Sequence, residues 1–264
     1  MKLELSGKTA VITGGETGIG AAITRALAAA GAHVIVGGIL ENVGAPFAEG
    51  LAAEGLAVSF QKTDVRSEAQ VEALVESAVE RFGAIDIMVN NAGVFDGFAD
   101  CIETTEALWD QVIDINLKGA FFGCRAALKR MTPRNSGRII NTASVGGLRG
   151  AADGASYTAS KFGLVGLTRQ IAVTHSQYGI TIDAICPGVI QTDIRGNSAA
   201  ILGPDGPDMQ KGVGADPEGY KRIVPAKRKG LPDEVASVAL FLASDAGSYV
   251  TGQALAIDGG WTAT

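Results

Sequence analysis

Short apolar runs alternate along the chain with longer amphipathic segments, the pattern of strand and helix repeating around a parallel sheet. The runs at 9–13, 33–37, 57–62, 86–89, 138–142, 181–186 and 254–257 predict seven strands. Between them, apolar positions at helical spacing predict helices over 19–30, 67–82, 105–131 and 156–178. Gly31 and Gly83 stand just past the first two, where a glycine commonly ends a helix. The implied fold class is α/β, a doubly wound parallel seven-stranded sheet with helices on both faces. One stretch breaks the pattern: 192–225 is rich in Gly, Pro, Asp and Asn, has little periodicity, and is followed by a further strand. It reads as a mobile functional loop within the fold. Without an internal repeat or a shift in composition, a single domain is expected over 1–264.

Composition narrows the function classes. Hydrophobic residues make up 47% of the 264, enough for a large core and too many for a disordered chain. The 36 glycines are about twice the usual share of about 7%, and they follow no period of three, which excludes collagen. A net charge of -6 gives no electrostatic reason to expect a nucleic-acid partner. Cys101, Cys124 and Cys186 are far apart and odd in number, so they read as buried thiols, not a disulfide framework or a metal site. No 18-residue uncharged apolar stretch occurs, and the first five residues include an acid, so a cytoplasmic protein with no membrane partner is expected.

The first candidate chemistry follows the first strand. Thr13-Gly14-Gly15-Glu16-Thr17-Gly18-Ile19-Gly20 opens straight into a helix. Such a turn aims backbone N–H groups and the positive helix end outward, where a pyrophosphate can sit. The matching acid for a ribose 2′-hydroxyl is expected at the end of the second strand, but that position holds Gly38, followed by Ile39. No Arg or Lys stands at Thr17 or Ile39 to neutralise a 2′-phosphate, and Glu16 would oppose one. The balance favours NAD(H) over NADP(H).

Tyr157 and Lys161, four apart on a predicted helix, share a face, and an ammonium beside a phenol favours the phenolate. Ser144 follows the fifth strand, Asn116 lies in the preceding long helix, and Asn90-Asn91-Ala92-Gly93 follows the fourth strand. In order and spacing these residues resemble the motifs of the short-chain dehydrogenase/reductase family. The resemblance continues through Pro187-Gly188-Val189-Ile190-Gln191-Thr192 to Asp258-Gly259-Gly260. It implies a Rossmann-type fold and an NAD(P)-dependent oxidoreductase acting on a secondary alcohol or ketone, such as a cyclic alcohol, polyol or sugar-like compound. Tyr157 would then be the general acid or base, Lys161 would lower its pKa and hold the nicotinamide ribose, Ser144 would bond the substrate oxygen, and Asn116 would hold a water behind Lys161. The resemblance places Gly14, Thr17, Gly18, Ile19 and Gly20 at the pyrophosphate turn, and Gly38 and Ile39 near the adenosine ribose. It places Asp64 and Val65 at the adenine, Asn91, Ala92 and Gly93 at the riboses, and Pro187, Gly188, Ile190 and Thr192 on the nicotinamide side.

The same resemblance makes 192–225 a substrate-covering segment and implies a homotetramer built on the two long helices and the C-terminal segment. Leu148, Val189, Ile194 and the stretch 93–98 are expected to line the pocket. Lys211, Lys221, Arg222, Lys227, Arg228 and Lys229 read as a solvated basic rim, and His33 and His175 as structural. Two other readings stay open: a 3-oxoacyl thioester reductase, against which the absence of Arg at Thr17 counts, and a nucleotide-sensing protein without catalysis.

Overall fold

The computed structural model describes residues 3–150, 153–212, 216 and 218–263. Seven strands form one parallel sheet: β1 (Thr9–Thr13), β2 (His33–Gly38), β3 (Val58–Lys62), β4 (Ile87–Asn90), β5 (Gly137–Thr142), β6 (Ile180–Pro187) and β7 (Ala254–Ile257). Every end lies within one residue of the sequence expectation. Their spatial order is β3-β2-β1-β4-β5-β6-β7. The direction of winding reverses between β1 and β4, and that crevice at the carboxyl ends of the strands is where open parallel sheets bind ligands.

Both faces of the sheet are covered, which is why its strands read as continuous apolar runs rather than alternating ones. Along β1, Ala10 and Ile12 pack on one face with Ile23 and Leu27 of α1 (Gly18–Ala29) and Val235 and Ala239 of α9 (Pro232–Ala243). Val11 points the other way, into a core with Leu74 of α3 (Glu68–Phe82), Val112 of α4 (Glu106–Ile113) and Ala127 of α5 (Gly119–Met131). A helix not placed from the sequence, α2 (Glu41–Ala53), lies beside β3, with Gly44 against Phe60. Ser67 caps α3 by accepting from the Gln70 N–H, and Gly83 ends it at φ 81°.

The single helix expected over 105–131 is continuous but not uniform. A π-turn at Asp114–Lys118 separates α4 from α5, and Asn116 lies inside it. Such turns recur at functional sites. The long helix α6 (Ala155–His175) matches its expectation, ending in a 3₁₀ turn at Ser176–Tyr178.

The segment 192–225 departs from expectation. It carries α7 (Ile194–Leu202) and the one-turn α8 (Tyr220–Ile223), with Asp193 capping α7 through the Gly196 N–H. The absence of a long apolar stripe hid α7; a local cap and two tertiary bonds hold it. The Phe95 N–H donates to Ser198 Oγ at 2.8 Å, and Asn197 Nδ2 donates to Thr17 Oγ1 at 3.3 Å. Positions 213–215 and 217 of the expected loop lie outside the described residues.

The thiols also differ from expectation. Cys124 and Cys186 are buried, but Cys101 is exposed in the turn before α4. His33 stacks on Phe82 with ring centres 4.5 Å apart, and His175 ends α6. No described helix is long and apolar enough to cross a membrane.

Candidate active site

A cleft of about 310 Å³ runs along the carboxyl ends of the strands. At one end lies the glycine turn. Gly14 and Gly18 adopt φ values of 61° and 51°, a conformation that strains any side chain, and a Cβ on Gly14 would sit 2.8 Å from Ala92 Cα. The Thr17 side chain makes no cap bond to α1 and no acid stands in the first helical turn. The leading N–H groups of α1 thus face the cleft without a side-chain partner, the donor set that a pyrophosphate would take. The residues present fit a dinucleotide.

Of the residues expected at the coenzyme, Gly14, Thr17, Gly18, Ile19, Gly38, Ile39, Asp64, Val65, Asn91, Ala92, Gly93, Pro187, Gly188, Ile190 and Thr192 line the cleft. Gly20 does not. It lies beneath the turn, where a Cβ would come within 2.0 Å of the Gly14 carbonyl oxygen, so it permits close packing instead of contact. Asn91 Nδ2 donates to that same carbonyl at 2.8 Å, tying the ends of β1 and β4 together. Asp64 pairs with Arg66 at 2.7 Å. Burial works to raise the Asp64 carboxyl, but the hydrogen bonds from the Arg66 side chain and backbone outweigh it and hold the carboxyl low.

At the other end, Ser144, Tyr157 and Lys161 converge, all three buried and all lining the cleft. The Ser144 hydroxyl accepts from the Gly146 N–H at 3.0 Å, and its position lowers the pKa of both the Tyr157 phenol and the Asp153 carboxyl. Lys161 Nζ donates to the Thr142 carbonyl at 2.8 Å and lies 5.4 Å from the centre of the Tyr157 ring. Tyr157 is held from below: its N–H donates to Asp96 Oδ2 at 2.8 Å, and the Ser156 hydroxyl donates to the same oxygen at 3.0 Å.

Burial dominates the electrostatics of this group. Burial, and next the neighbouring Asp153 charge, push the Tyr157 phenol up, against the lowering effect of the Ser144 hydrogen bond. Lys161 is itself pushed down to about 8 by burial. Desolvation is the largest influence on both groups, disfavouring the phenolate of Tyr157 and the ammonium of Lys161. Burial also lifts Asp153 to about 7, with the Asp96 charge adding to the rise.

Asn116 is buried behind this group, and its amide is fully engaged. Oδ1 accepts from the Val94 N–H at 2.8 Å, and Nδ2 donates to the Val94 carbonyl at 2.9 Å and to Ser160 Oγ at 3.2 Å. Through these bonds the Asn116 side chain clamps the segment after β4 to α6. The π-turn sets its register for this clamp.

The far wall is apolar: Val94, Phe95, Phe98, Val145, Ile201 and Trp261 face it, together with the expected Val189 and Ile194. Leu148 does not line it; it packs on Leu164 and Val165 of α6. Arg195 of α7 enters the cleft, stacked over Phe95 and Phe98 at 5.1 and 5.5 Å. The sequence pattern missed Asp153, Arg195 and Trp261 because each reaches the cleft only through the tertiary placement of a loop, α7 or the C-terminal turn. Of the basic rim, Lys211, Lys221, Arg222 and Arg228 pair with surface acids, Lys227 bonds the Lys221 carbonyl, and Lys229 reaches the cleft mouth. Among the described residues no cluster of three or more His, Cys, Asp or Glu could hold a metal ion.

Known proteins share this architecture. A family profile described as enoyl-(acyl carrier protein) reductase matches residues 14–262. The chain is 39% identical to 3beta-hydroxysteroid dehydrogenase 2 of Eggerthella lenta, over 98% of this chain and 96% of that protein. It is 43% identical to levodione reductase of Leifsonia aquatica, over 97% and 94%. A crystal structure of levodione reductase superposes with a TM-score of 0.86 at 41% identity, covering 99% of this chain and 100% of that one. Cis-4-hydroxycyclohexanecarboxylate dehydrogenase of Sinomonas cyclohexanicum is 38% identical over 97% of both chains. These matches begin ahead of or within the glycine turn and run past the strand that follows α9, so they take in every element that builds the cleft: the chain belongs to the short-chain dehydrogenase/reductase family, whose members are NAD(P)-dependent oxidoreductases acting on CH–OH groups.

Proposed function

We propose that Tyr157 is the general acid or base for interconversion of an alicyclic secondary alcohol and its ketone, with Ser144 bonded to the reacting oxygen and Lys161 to the coenzyme ribose. The observation that carries this reading is the convergence of buried Ser144, Tyr157 and Lys161 on one end of a cleft whose far wall is largely apolar. A bound nicotinamide supplies or accepts the hydride; the proton belongs to the protein. In reduction the Tyr157 hydroxyl donates its proton to the ketone oxygen, while the Ser144 hydroxyl stabilises the charge gathering there. Oxidation reverses both steps. A phenol kept protonated by burial suits the reductive direction at neutral pH.

Gly14, Gly18 and Ile19 would hold the pyrophosphate, Asp64 and Val65 the adenine, Asn91 to Gly93 the riboses, and Pro187, Ile190 and Thr192 the nicotinamide side. NAD(H) is the preferred coenzyme, supported by the lack of a basic residue at Thr17, Ile39 and Leu40. The ring-shaped substrate class is supported by the aromatic wall and by relatives named for a hydroxysteroid and a hydroxycyclohexanecarboxylate. Mixing the purified protein with NAD or NADP and a panel of cyclic alcohols, polyols and 3-oxoacyl thioesters, while following nicotinamide absorbance, tests the reading. Preferred turnover of the thioester, or coenzyme binding with no turnover of any substrate, would overturn it.

The pH profile gives a second check. The Asp153 carboxylate opposes a Tyr157 phenolate, alongside Asp96. Asp153→Asn is therefore expected to move the alkaline rise in oxidation rate to lower pH. An unmoved or upward-moved rise would show that the Asp153 charge does not reach the reacting phenol.

We also infer a cytoplasmic homotetramer. Trp109, Phe121 and Phe162 are about two-fifths exposed on α4, α5 and α6, more aromatic surface than a monomer gains by leaving in water. A solution mass near 27 kDa would remove this inference.

A further inference from the structure

Gly38 ends β2 where a dinucleotide fold usually carries the acid that reads the adenosine ribose. The space above it is already occupied. A Cβ on Gly38 would lie 2.1 Å from Glu16 Oε1 and 2.4 Å from Glu16 Oε2, so a side chain at position 38 and the Glu16 carboxyl in its present position compete for one space, and one of them must shift. Glu16 belongs to the turn after β1, and β1 is the direct neighbour of β2 in the sheet. The turn thus delivers a carboxyl group to the place where the strand end lacks one.

That carboxyl group is only 7% exposed and its Oε2 is buried with no hydrogen-bond partner; burial pushes its pKa up, against the lowering effect of the neighbouring Glu16 and Leu40 backbone. Glu16 and Gly38 line the cleft together with Ile39 and Leu40, none of them basic. Arg66 also lines this end, but its guanidinium is held by Asp64. Glu16 lines the cleft, and an unmatched acid oxygen at the wall of a ligand site is costly to leave unpaired, a cost that a ligand hydroxyl would offset.

We propose that Glu16 supplies the ribose-reading carboxylate that β2 lacks, accepting from the adenosine ribose hydroxyls, and that Gly38 is required to make room for it. The acid has moved from the strand end to the glycine turn, and the two positions are coupled. A 2′-phosphate would be placed against this carboxylate with no free cation beside it, so Glu16 sets the discrimination against NADP(H). The inference rests on the proposed preference for NAD(H).

The test is direct binding of NADH and NADPH, followed by nicotinamide fluorescence, to the wild-type protein and to Glu16→Ala, Glu16→Gln, Gly38→Asp and the double variant Glu16→Ala/Gly38→Asp. A hydrogen bond to a charged group contributes roughly 1.5–3 kcal/mol, so Glu16→Ala and Glu16→Gln are expected to weaken NADH binding by about 10- to 100-fold without weakening NADPH. Gly38→Asp alone is expected to weaken both coenzymes, because its side chain overlaps Glu16. The double variant should regain most of the NADH affinity, since a carboxylate again stands at the site. A wild-type preference for NADH that neither Glu16 variant changes overturns the role of Glu16 alone. A double variant that binds NADH no better than Gly38→Asp overturns the coupling. A wild-type preference for NADPH overturns the coenzyme reading itself, and this inference with it. Thermal melting of each variant separates lost affinity from lost fold, and Glu16→Gln keeps the side-chain shape if the smaller residue does not fold.

Discussion

Tyr157→Phe is expected to lower kcat by ~10²–10⁴-fold, the usual contribution of a positioned acid or base, with KM and coenzyme affinity nearly unchanged. The substitution removes one oxygen and little else. The ring keeps its edge-to-face contact with Phe95, centres 5.4 Å apart, and the backbone stays tied to Asp96. The Tyr157 carbonyl still accepts from Ser160 Oγ at 2.7 Å, so the first turn of α6 holds its place. What disappears is the proton, from a phenol that burial keeps protonated at neutral pH. Steady-state kinetics in both directions measure the effect, and full turnover by the phenylalanine variant would sink the assignment.

Lys161→Met is expected to cost ~10²–10³-fold in kcat, the scale for removing one preorganised group that stabilises developing charge, together with a loss of coenzyme affinity. Methionine is close to lysine in length and suits a buried site, so the fold should survive despite the unpaired Thr142 carbonyl. The pH dependence separates charge from packing. Burial brings Lys161 down to about 8, so its ammonium is present below that pH and lost above it. The wild-type rate should therefore carry a titration near pH 8 that the methionine variant lacks. Equal profiles for the two proteins would place the Lys161 charge outside the reaction.

The strands were legible because a parallel sheet covered on both faces needs short apolar runs, and Ala10-Val11-Ile12 and Ile87-Met88-Val89 supply them. The pairing of Tyr157 with Lys161 was legible for a similarly local reason, the four-residue spacing on one helix. Features that depend on elements meeting were not. The π-turn around Asn116 has no composition of its own; it follows from the need to bring that amide under Val94. Nor does an apolar stripe mark α7, whose local cap at Asp193 is joined by bonds to Thr17 and Phe95 that reach back some 100 to 180 positions. Glu16 and Gly38 are the sharpest case. Read along the chain, one is an acid in a turn and the other a missing acid, and only the adjacency of β1 and β2 shows that they share one place.

The thiols offer a practical consequence. Cys124 lies between Asn90 and Asn141 and is pushed up to about 12 by burial, while burial lifts Cys186, inside β6, to about 11. Since the thiolate is the reactive species, both are silent toward alkylating reagents for as long as the sheet is closed, and exposed Cys101 alone answers. The chain thus carries its own gauge of integrity: one labelled cysteine marks a folded variant, three an opened one, with no coenzyme or substrate required.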